Sequence, residues 1–505
     1  MDEIEKKRRQ YLEKAEKMDG ETIEQIDTTN YLDDPKNKGN IGQVVQIFLG
    51  QNPNSNPTAD FPDAQMELKV TGLIPYKKTK NGNVYHAKER LVLNMINYIN
   101  DRGVPFERSH LLSKCDCMMI TCYEYIRPEH DKAVNYKSFP IIKSFIYQLT
   151  DEDKSIIKSD YDTILGMIND SKAELISESS TNYLAACRKG AGKGKDLQDQ
   201  LGSDVKAPTR AFSFKASFLT ALIRKYVSNE TFEHIVSETK NPIDYILERT
   251  EKYKGKHVSE LQKIFPKVNA KAKNAYALYV SAMANLKDLT KTEEFVKANI
   301  IVKAVRVEKD GHIEQDMSFG NINFEDTTVE SWRESKWSNY FEGASLFLCV
   351  FRNMNPEEDS NGKAMPKDYV FDGIKIYRLP DIVSDGFIRF TYDKASETLM
   401  KGDIVRGIKT TNGSKITTLH MTNFVGKKTN PVSHIRPKGQ DFARGQKPLL
   451  VPDKLTGSKT YLGQCLWLDQ RFIQAIIEDR ADEYLEEAKK KMASKGNFLP
   501  DLDSD

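Results

Sequence analysis

The residues best suited to chemistry lie in one short segment that contains Asp60, Glu67 and Lys69. On an extended strand, residues two positions apart point to the same face, so Glu67 and Lys69 share one side and Asp60 can reach them from a preceding turn. Two carboxylates and the Leu68 carbonyl offer the hard oxygen ligands that Mg²⁺ prefers. A bound Mg²⁺ activates water and stabilises charge on phosphate oxygens, so the segment suits phosphodiester hydrolysis. The lysine would orient the water and offset the developing charge.

The elements around this segment determine whether it can work as a site, because a solvated strand face with the same residues is the simpler alternative. Residues 66–74 have the composition of a strand. A short amphipathic helix is predicted just before it, from apolar residues at helical spacing and a glycine that ends them: Ile41, Val44, Val45, Phe48 and Gly50. The order of helix, polar loop and strand therefore brings a helix beside the acidic residues.

The length of 505 residues corresponds to roughly three domains of about 150 residues. Strand and helix patterns alternate up to residue 228, and residues 229–295 are helical and rich in lysine. Strand character resumes beyond, at residues 300–307, 346–351, 373–377 and 387–392, before a late helix at 470–483. The sequence predicts an α/β unit at 1–228, a helical connector at 229–295 and a second α/β unit at 296–505.

Composition excludes several classes of protein. Seventy-five basic and 73 acidic residues give a net charge of +2, so any basic surface must be local. No apolar run of about 18 residues is present, and the first 17 residues are rich in charge where a signal peptide would need an apolar stretch. We therefore expect a soluble cytoplasmic protein without a membrane partner. Six cysteines are too few for a disulfide framework, and we expect them to be buried and reduced.

The local basic surface is predicted at residues 188–225, which hold nine basic and three acidic residues. Arg188 carries the guanidinium fork that reads guanine O6 and N7 in the major groove, whereas nearby lysines would contact phosphates. A solvated basic loop is the alternative. The glycine-rich loop 190–195 is not a P-loop, because Lys189 and Asp196 occupy the required glycine and Ser/Thr positions, so we expect no ATP binding.

Five segments together resemble the MutH family, which joins the mismatch-repair nicking endonuclease MutH to the Sau-type type II restriction enzymes that cut at GATC. Residues 38–50 (KGNIGQVVQIFLG) and 60–69 (DFPDAQMELK) look like the active-site region of that family. Lys114, ahead of the strand at 117–123, is similar to the family's lysine near the cleaved phosphate. Residues 182–190 (NYLAACRKG) and 209–222 (TRAFSFKASFLTAL) resemble its base-reading arginine loop and closing helix.

The resemblance implies roles for individual residues. Asp60, Glu67 and the Leu68 carbonyl would hold Mg²⁺, Lys69 would position the attacking water and Lys114 would stabilise the phosphate. Supporting and DNA-binding positions are Gln46, Lys38, Arg188, Lys189, Lys193, Lys195, Arg210 and Lys215. Two positions depart from MutH: Gln46 replaces a glutamate near the metal, and Ser213 replaces a tyrosine implicated in sensing adenine methylation.

The second half of the sequence resembles a weakened copy of the first. Residues 300–303 align with 66–69, so that Ile301 stands in the place of Glu67. Isoleucine cannot hold Mg²⁺ against its hydration shell, so we expect this copy to be catalytically inactive. Sau-type enzymes have such a C-terminal domain, which is associated with binding a second DNA site that activates cleavage. Residues 434–438 (HIRPK) echo residues 186–190 (ACRKG), so that Arg436 aligns with Arg188. Arg436 and Lys438 would contact that DNA; a stabilising domain that touches no DNA is the alternative.

We therefore predict two MutH-like domains of the PD-(D/E)XK restriction-endonuclease type, each with a mixed sheet flanked by helices. The expected function is Mg²⁺-dependent type II cleavage of double-stranded DNA at a short palindrome, GATC. Two chains would associate through the DNA that they bind, in the bacterial cytoplasm. The alternatives are a mismatch-repair nicking enzyme and a site-specific DNA-binding protein without catalysis.

Overall fold

Two units make up the fold, and each contains its own sheets. The computed structural model describes residues 2–29, 31–33, 40–53, 58–80, 82–128, 134–190, 196–235, 241–355, 365–411, 417–437 and 445–501. The first unit comprises Met1–Pro242 and Thr290–Ile300, and the second comprises Ile243–Leu289 and Ile301–Asp505.

Helices are interspersed with strands along the sequence of both units. They are α1 (Glu3–Ala15), α2 (Ile23–Ile26), α3 (Asn40–Phe48), α4 (His110–Cys115), α5 (Asp151–Asn169), α6 (Ala216–Tyr226), α7 (Pro242–Glu251), α8 (Val258–Ile264), α9 (Ala275–Met283), α10 (Glu293–Lys297), α11 (Phe324–Val329), α12 (Lys336–Phe341), α13 (Arg389–Met400), α14 (Gln470–Ile477) and α15 (Ala481–Ala493).

Strands occur throughout the two units. They are β1 (Glu67–Thr79), β2 (Gly82–Ala87), β3 (Leu91–Met95), β4 (Cys117–Glu124), β5 (Ile141–Gln148), β6 (Leu184–Arg188), β7 (Leu197–Gln200), β8 (Ser203–Pro208), β9 (Arg210–Phe214), β10 (Ile300–Val307), β11 (Met317–Asn321), β12 (Ser345–Asn353), β13 (Tyr369–Arg378), β14 (Val405–Thr411), β15 (Thr417–Thr422), β16 (Ser433–Pro437), β17 (Gln446–Pro448), β18 (Thr460–Leu462) and β19 (Gln464–Leu468).

A four-stranded sheet of order β2-β1-β4-β5 forms the centre of the first unit. Strand β1 runs parallel to β4, and the β1–β2 and β4–β5 pairs are antiparallel, so the sheet is mixed. A three-stranded sheet of order β3-β9-β6 and a β7–β8 hairpin complete the unit.

Strand β4 is apolar along nearly its whole length because it is covered on both faces. Met118 and Ile120 point into a core that also contains residues of α5 and α6. The alternate residue Met119 points into a second core, which includes Val44 and Val45 of α3. Helix α3 is thereby held against the sheet next to the start of β1.

The second unit repeats the strand order of the first. Its sheet β10-β12-β13 corresponds to β1-β4-β5, and its sheet β11-β19-β16 corresponds to β3-β9-β6. The hairpins β14–β15 and β17–β18 are additional. The mixed α/β class predicted from the sequence is confirmed.

Two parts of the predicted organisation differ from the structure. Residues 387–392 are helical rather than a strand, since a π-helix at Ile382–Ile388 continues directly into α13. The run is apolar because most of that helix is buried, and a short buried run carries no period that separates strand from helix. The predicted connector at 229–295 is not a separate body: helices α7 to α9 belong to the second unit and α10 to the first.

Two expectations about exposure can be compared with the structure. All six cysteines are free and buried. Within the described ranges, no helix combines the length and the apolar character needed to cross a membrane.

Candidate active site

A tight turn positions Asp60 beside the start of β1. Phe61 and Met66 exchange backbone hydrogen bonds of 3.0 and 3.2 Å across a 3-10 turn at Pro62–Ala64. Gln65 closes this turn in the left-handed conformation, with φ of 46°. The chain therefore doubles back, and Asp60 Oδ2 accepts a hydrogen bond of 3.0 Å from the Leu68 N–H. The six residues between Asp60 and Glu67 form this turn, which accounts for the spacing of the two carboxylates in the sequence.

Two lysines flank the carboxylate of Glu67. Lys69 Nζ lies 3.1 Å from Oε1, and Lys114 Nζ lies 3.0 Å from Oε2. Lys114 Nζ also donates to the carbonyl of Thr58 at 2.9 Å. Glu67 and Lys114 are buried, so these charges interact more strongly than a surface pair would.

Helix α4 and strand β4 explain how Lys114 reaches a residue 47 positions earlier in the sequence. Ser109 caps the helix by accepting a hydrogen bond of 3.2 Å from the Leu112 N–H, and Lys114 lies in its last turn. The parallel register then pairs Glu67 with Met118, directly after the helix. Lys114 is thus held beside β1 by secondary structure on both sides.

Asp60 occupies a different electrostatic environment from Glu67. Burial raises the pKa of Asp60, and the negative charge of Glu67 raises it further. The Leu68 N–H, Lys114 and Lys69 act in the opposite direction, but burial is the largest effect. Gln46 Nε2 of α3 lies 3.3 Å from Asp60 Oδ1. The structure thus brings together Asp60, Glu67, Lys69, Lys114 and Gln46, as the spacing and the resemblance predicted.

The donor set at this position is made of oxygen atoms. It comprises the carboxylates of Asp60 and Glu67 and the Leu68 carbonyl. No group of three or more His, Cys, Asp or Glu side chains suited to a metal occurs in the described part of the chain. A metal here would be held by two carboxylates, neutral oxygens and water, which is how Mg²⁺ is usually bound. The residues present therefore fit Mg²⁺.

Apart from Gln46, described above, and Arg436 of the second unit, the predicted supporting and DNA-binding residues fall into three groups. Arg188 and Lys189 are partly exposed at the end of β6, and the Lys189 N–H donates to the Thr209 carbonyl at 2.8 Å. Lys38, Lys193, Lys195 and Lys438 lie outside the described residues. The remaining two, Arg210 and Lys215, are buried.

The burial of Arg210 and Lys215 contradicts the DNA contacts predicted for them. Arg210 is 1% exposed, and its guanidinium donates to the carbonyls of Ala186 and Ile176 at 2.6 and 2.5 Å. Lys215 Nζ donates to the Thr181 carbonyl at 2.5 Å. Both side chains therefore tie loops and strands together. The alternation of Arg210 with the aromatic residue Phe212 on β9 could have shown that this arginine points into the core.

Thr58 is a contributor that the spacing of charged residues could not show. It acts through its backbone carbonyl, which holds Lys114 in place, so its side-chain type carries no signal.

The matching place at the start of β10 keeps part of the frame but has Ile301 where the first unit has Glu67. Asn299 is left-handed, with φ of 54°, two residues before Ile301, just as Gln65 precedes Glu67. Lys303 Nζ donates to the Ser318 carbonyl at 2.9 Å and lies over the ring of Phe319. This lysine therefore has no carboxylate at position 301 beside it.

Comparisons with known proteins agree with this arrangement. The family model described as DNA mismatch repair enzyme MutH matches residues 49–160, which include Asp60, Glu67, Lys69 and Lys114. The type II restriction enzyme Sau3AI of Staphylococcus aureus is 31% identical over 483 residues, covering 88% of this chain and 93% of that enzyme. The DNA mismatch repair protein MutH of Shigella flexneri serotype 5b and that of Escherichia coli O17:K52:H18 are each 23% identical over 224 residues, covering 43% of this chain and 92% of theirs.

The extent of the similarity assigns the chain to a family. The MutH proteins match less than half of it, whereas the similarity to the restriction enzyme runs through both units. The chain belongs to the family that joins MutH to the Sau-type type II restriction endonucleases.

Proposed function

We propose that the protein is a Mg²⁺-dependent type II restriction endonuclease that hydrolyses both strands of DNA at a short palindrome, GATC. The observation that carries this proposal is the buried Glu67 carboxylate between Lys69 and Lys114, with Asp60 folded beside it. The family of the chain supports nuclease chemistry at this place.

Each residue of the site has a proposed role. Asp60, Glu67 and the Leu68 carbonyl would hold Mg²⁺, which supplies an activated water and charge neutralisation when bound. Lys69 orients the attacking water from its place beside Glu67. Lys114 faces the phosphate and stabilises its developing charge, while the Thr58 carbonyl holds the lysine head in position. Gln46 fixes the orientation of the Asp60 carboxylate.

Recognition of the DNA sequence is assigned to the end of β6 and the residues that follow it. Arg188 reads guanine O6 and N7 with its guanidinium fork, and Lys189, with Lys193 and Lys195, contacts phosphates. Arg210 and Lys215 are left out of this set because they are buried.

The second unit is assigned to a second DNA site. It repeats the strand order of the first unit but has Ile301 in place of the metal-binding glutamate. One active site per chain cannot cut two strands at once, so we propose that two chains meet through DNA, each held by its second unit on another site.

The proposal is tested by digesting an unmethylated plasmid of known sequence with Mg²⁺ and sequencing the ends. We expect double-strand ends at every GATC. Nicks in one strand only would instead support a mismatch-repair type of enzyme, and gel shifts without any cutting would show a pure DNA-binding protein.

Glu67→Gln removes the charge that the metal requires while keeping the shape of the side chain. We expect cleavage to fall by at least roughly 100-fold while DNA binding is retained. Glu24→Gln, at an exposed position of α2, is the matched control and should cut as the wild type does. Full cleavage by Glu67→Gln would refute the assignment.

A further inference from the structure

A cluster of charges lies on one face of the sheet β11-β19-β16 in the second unit. Asp316, directly before β11, is only 6% exposed and accepts contacts from four groups. These are Lys427 Nζ at 2.6 Å, the Gln470 N–H at 3.0 Å, Arg436 Nη2 at 3.1 Å and His434 Nε2 at 3.3 Å. Burial acts to raise the pKa of Asp316, but the contacts with His434, Lys427 and the Gln470 N–H outweigh it and hold that pKa well below its usual range.

A second buried carboxylate adjoins the first. Asp469 is fully buried and caps α14. Arg471 Nε and Nη2 contact its two oxygens at 2.9 and 3.0 Å, and Lys427 Nζ lies 3.7 Å away. Lys427 therefore bridges both anions.

The cations of this cluster remain partly exposed. The side chains of Arg436 and Arg471 are 45% and 51% accessible, and that of Lys427 is 38% accessible. Three cations stand against two buried anions, so this cluster of five side chains carries a net positive charge. The buried His434 adds a ring whose Nδ1 has no hydrogen-bond partner among the described residues.

Arg436 is held more rigidly than an ordinary surface arginine. Its guanidinium lies 4.0 Å from the centre of the Trp467 ring, and the Trp467 Nε1–H donates to the Arg436 carbonyl at 3.0 Å. Stacking on the Trp467 ring and the ion pair with Asp316 together restrict the orientation of the Arg436 guanidinium. A fork ordered before binding loses less entropy when it meets a planar acceptor pair.

The strand register shows that this face is not a copy of the one that carries Arg188. The Asp469 N–H donates to the Val432 carbonyl, as the Lys215 N–H donates to Tyr183. Counting along the strands from these bonds, Arg436 matches Cys187 rather than Arg188. A shift of one residue moves a side chain to the opposite face, so the alignment of Arg436 with Arg188 made from the sequence is one residue out.

The two faces also differ in composition. In the first unit the positions matching Arg436 and Trp467 are Cys187 and Ser213, both small and buried. In the second unit these two positions hold larger side chains, of which Arg436 is exposed and Trp467 is partly exposed. The second unit thus presents an arginine stacked on a tryptophan where the first unit has two small buried residues.

We propose that Arg436, positioned by Asp316 and Trp467, reads guanine in a second DNA duplex, with Lys427 and Arg471 contacting phosphates beside it. This inference deepens the proposed effector role of the second unit and rests on it. The duplex would lie on the sheet face opposite the core residues of β19, Leu466 and Leu468, and not on the face that Arg188 occupies.

The test uses the full chain carrying Glu67→Gln, so that bound DNA stays intact. A labelled GATC duplex is titrated at concentrations well above its dissociation constant, and the number of duplexes per chain is measured. We expect two for Glu67→Gln alone and one after adding Arg436→Ala. Arg406→Ala, at an exposed position of β14, is the matched control and should keep two.

A second variant keeps the charge and removes the fork. Arg436→Lys should still bind two duplexes, but at the second site the preference for GATC over a scrambled duplex should fall roughly 10-fold or more. Thermal unfolding confirms that the variants are folded.

Two outcomes overturn the inference. One is that Arg436→Ala still binds two duplexes with unchanged preference, and the other is that Glu67→Gln alone binds only one. In both cases cleavage by the wild type would continue to support the proposed endonuclease function. A failure of this inference can therefore be distinguished from a failure of the proposed function.

Discussion

At the residue scale, the carboxylate pair of the site is divided into two environments. Glu67 is neutralised by two lysines, whereas Asp60 is opposed mainly by its own burial and by Glu67. Asp60 is thus the member of the pair that gains most from a bound cation.

The raised pKa of Asp60 leads to a stability prediction. The folded chain holds the Asp60 proton more tightly than the unfolded chain does, so the ionised carboxylate lowers stability at neutral pH. That loss disappears as the pH falls through the raised pKa. Asp60→Asn is neutral at every pH, and without metal we expect it to melt about 1–3 °C above the wild type at pH 7.

The measurement is thermal unfolding in chelator between pH 4 and pH 8. The gap between Asp60→Asn and the wild type should narrow as the pH falls through the raised pKa of Asp60, while cleavage by the variant is lost throughout. Asp204→Asn, at an exposed position of β8, should not differ from the wild type. A lower melting temperature for Asp60→Asn at pH 7 would contradict the argument.

The residues of the site were predictable where chemistry depends on side-chain type. Asp60, Glu67 and Lys69 stand out by their spacing, and Lys114 follows from the resemblance. The DNA contacts predicted for Arg210 and Lys215 are wrong, because counting charges along a sequence does not distinguish a surface cation from one that binds buried carbonyls.

At the element scale, a helix far along the sequence completes the first unit. Lys297 of α10 is buried, and its Nζ lies 2.6 Å from Asp153 of α5 and 2.8 Å from Glu293. Tyr147 also donates to Asp153. These carboxylates raise the pKa of Lys297 despite its burial, so it stays charged.

Lys297→Met should therefore destabilise the first unit strongly. The change keeps the length of the side chain but leaves Asp153 buried without its cation, which costs about 3–5 kcal/mol. We expect the variant to unfold at a lower urea concentration than the wild type, as measured by circular dichroism. We also expect it to lose cleavage activity. Lys172→Met, at an exposed position, is the control and should leave the transition in place. Equal midpoints for the two variants would show that α10 is dispensable.

Elements were predictable from periodicity where one face is buried. The strand predicted at 117–123 is observed as β4, Cys117–Glu124. The position of α10 could not be predicted, because its pairing with α5 joins residues 144 positions apart. The one-residue error at Arg436 has a related cause: the register of β16 is set by backbone hydrogen bonds with β19, which side-chain types do not report.

At the scale of the whole molecule, the two units share one strand order, and Ile301 of the second stands where the first has Glu67. The net charge of +2 hides this organisation, because the basic stretch at residues 188–225 is offset by acidic residues elsewhere in the sequence. The length of 505 residues is more informative, since it leaves room for the second unit.

A second DNA site should therefore accelerate cleavage. Two sites on one plasmid have a high effective concentration for each other, so binding at the second unit is favoured without free DNA. At equal site concentration, we expect two-site plasmids to be cut roughly 10-fold faster or more than one-site plasmids.

The measurement follows initial rates on supercoiled substrates that differ only in one GATC. A short GATC duplex added in trans should accelerate cutting of the one-site plasmid, and a scrambled duplex should not. Equal rates on both plasmids would refute an effector role for the second unit.

The pairing of Glu67 with Lys69 and Lys114 also affects how the protein can be handled. Lys69 and Lys114 hold the Glu67 carboxylate in place without a cation, so we expect the fold to persist in chelator. The protein could then be purified, stored and mixed with DNA before any metal is added. With the proposed Mg²⁺ dependence, cleavage in every molecule could be started at one moment by adding the cation, which is the condition that time-resolved measurements require.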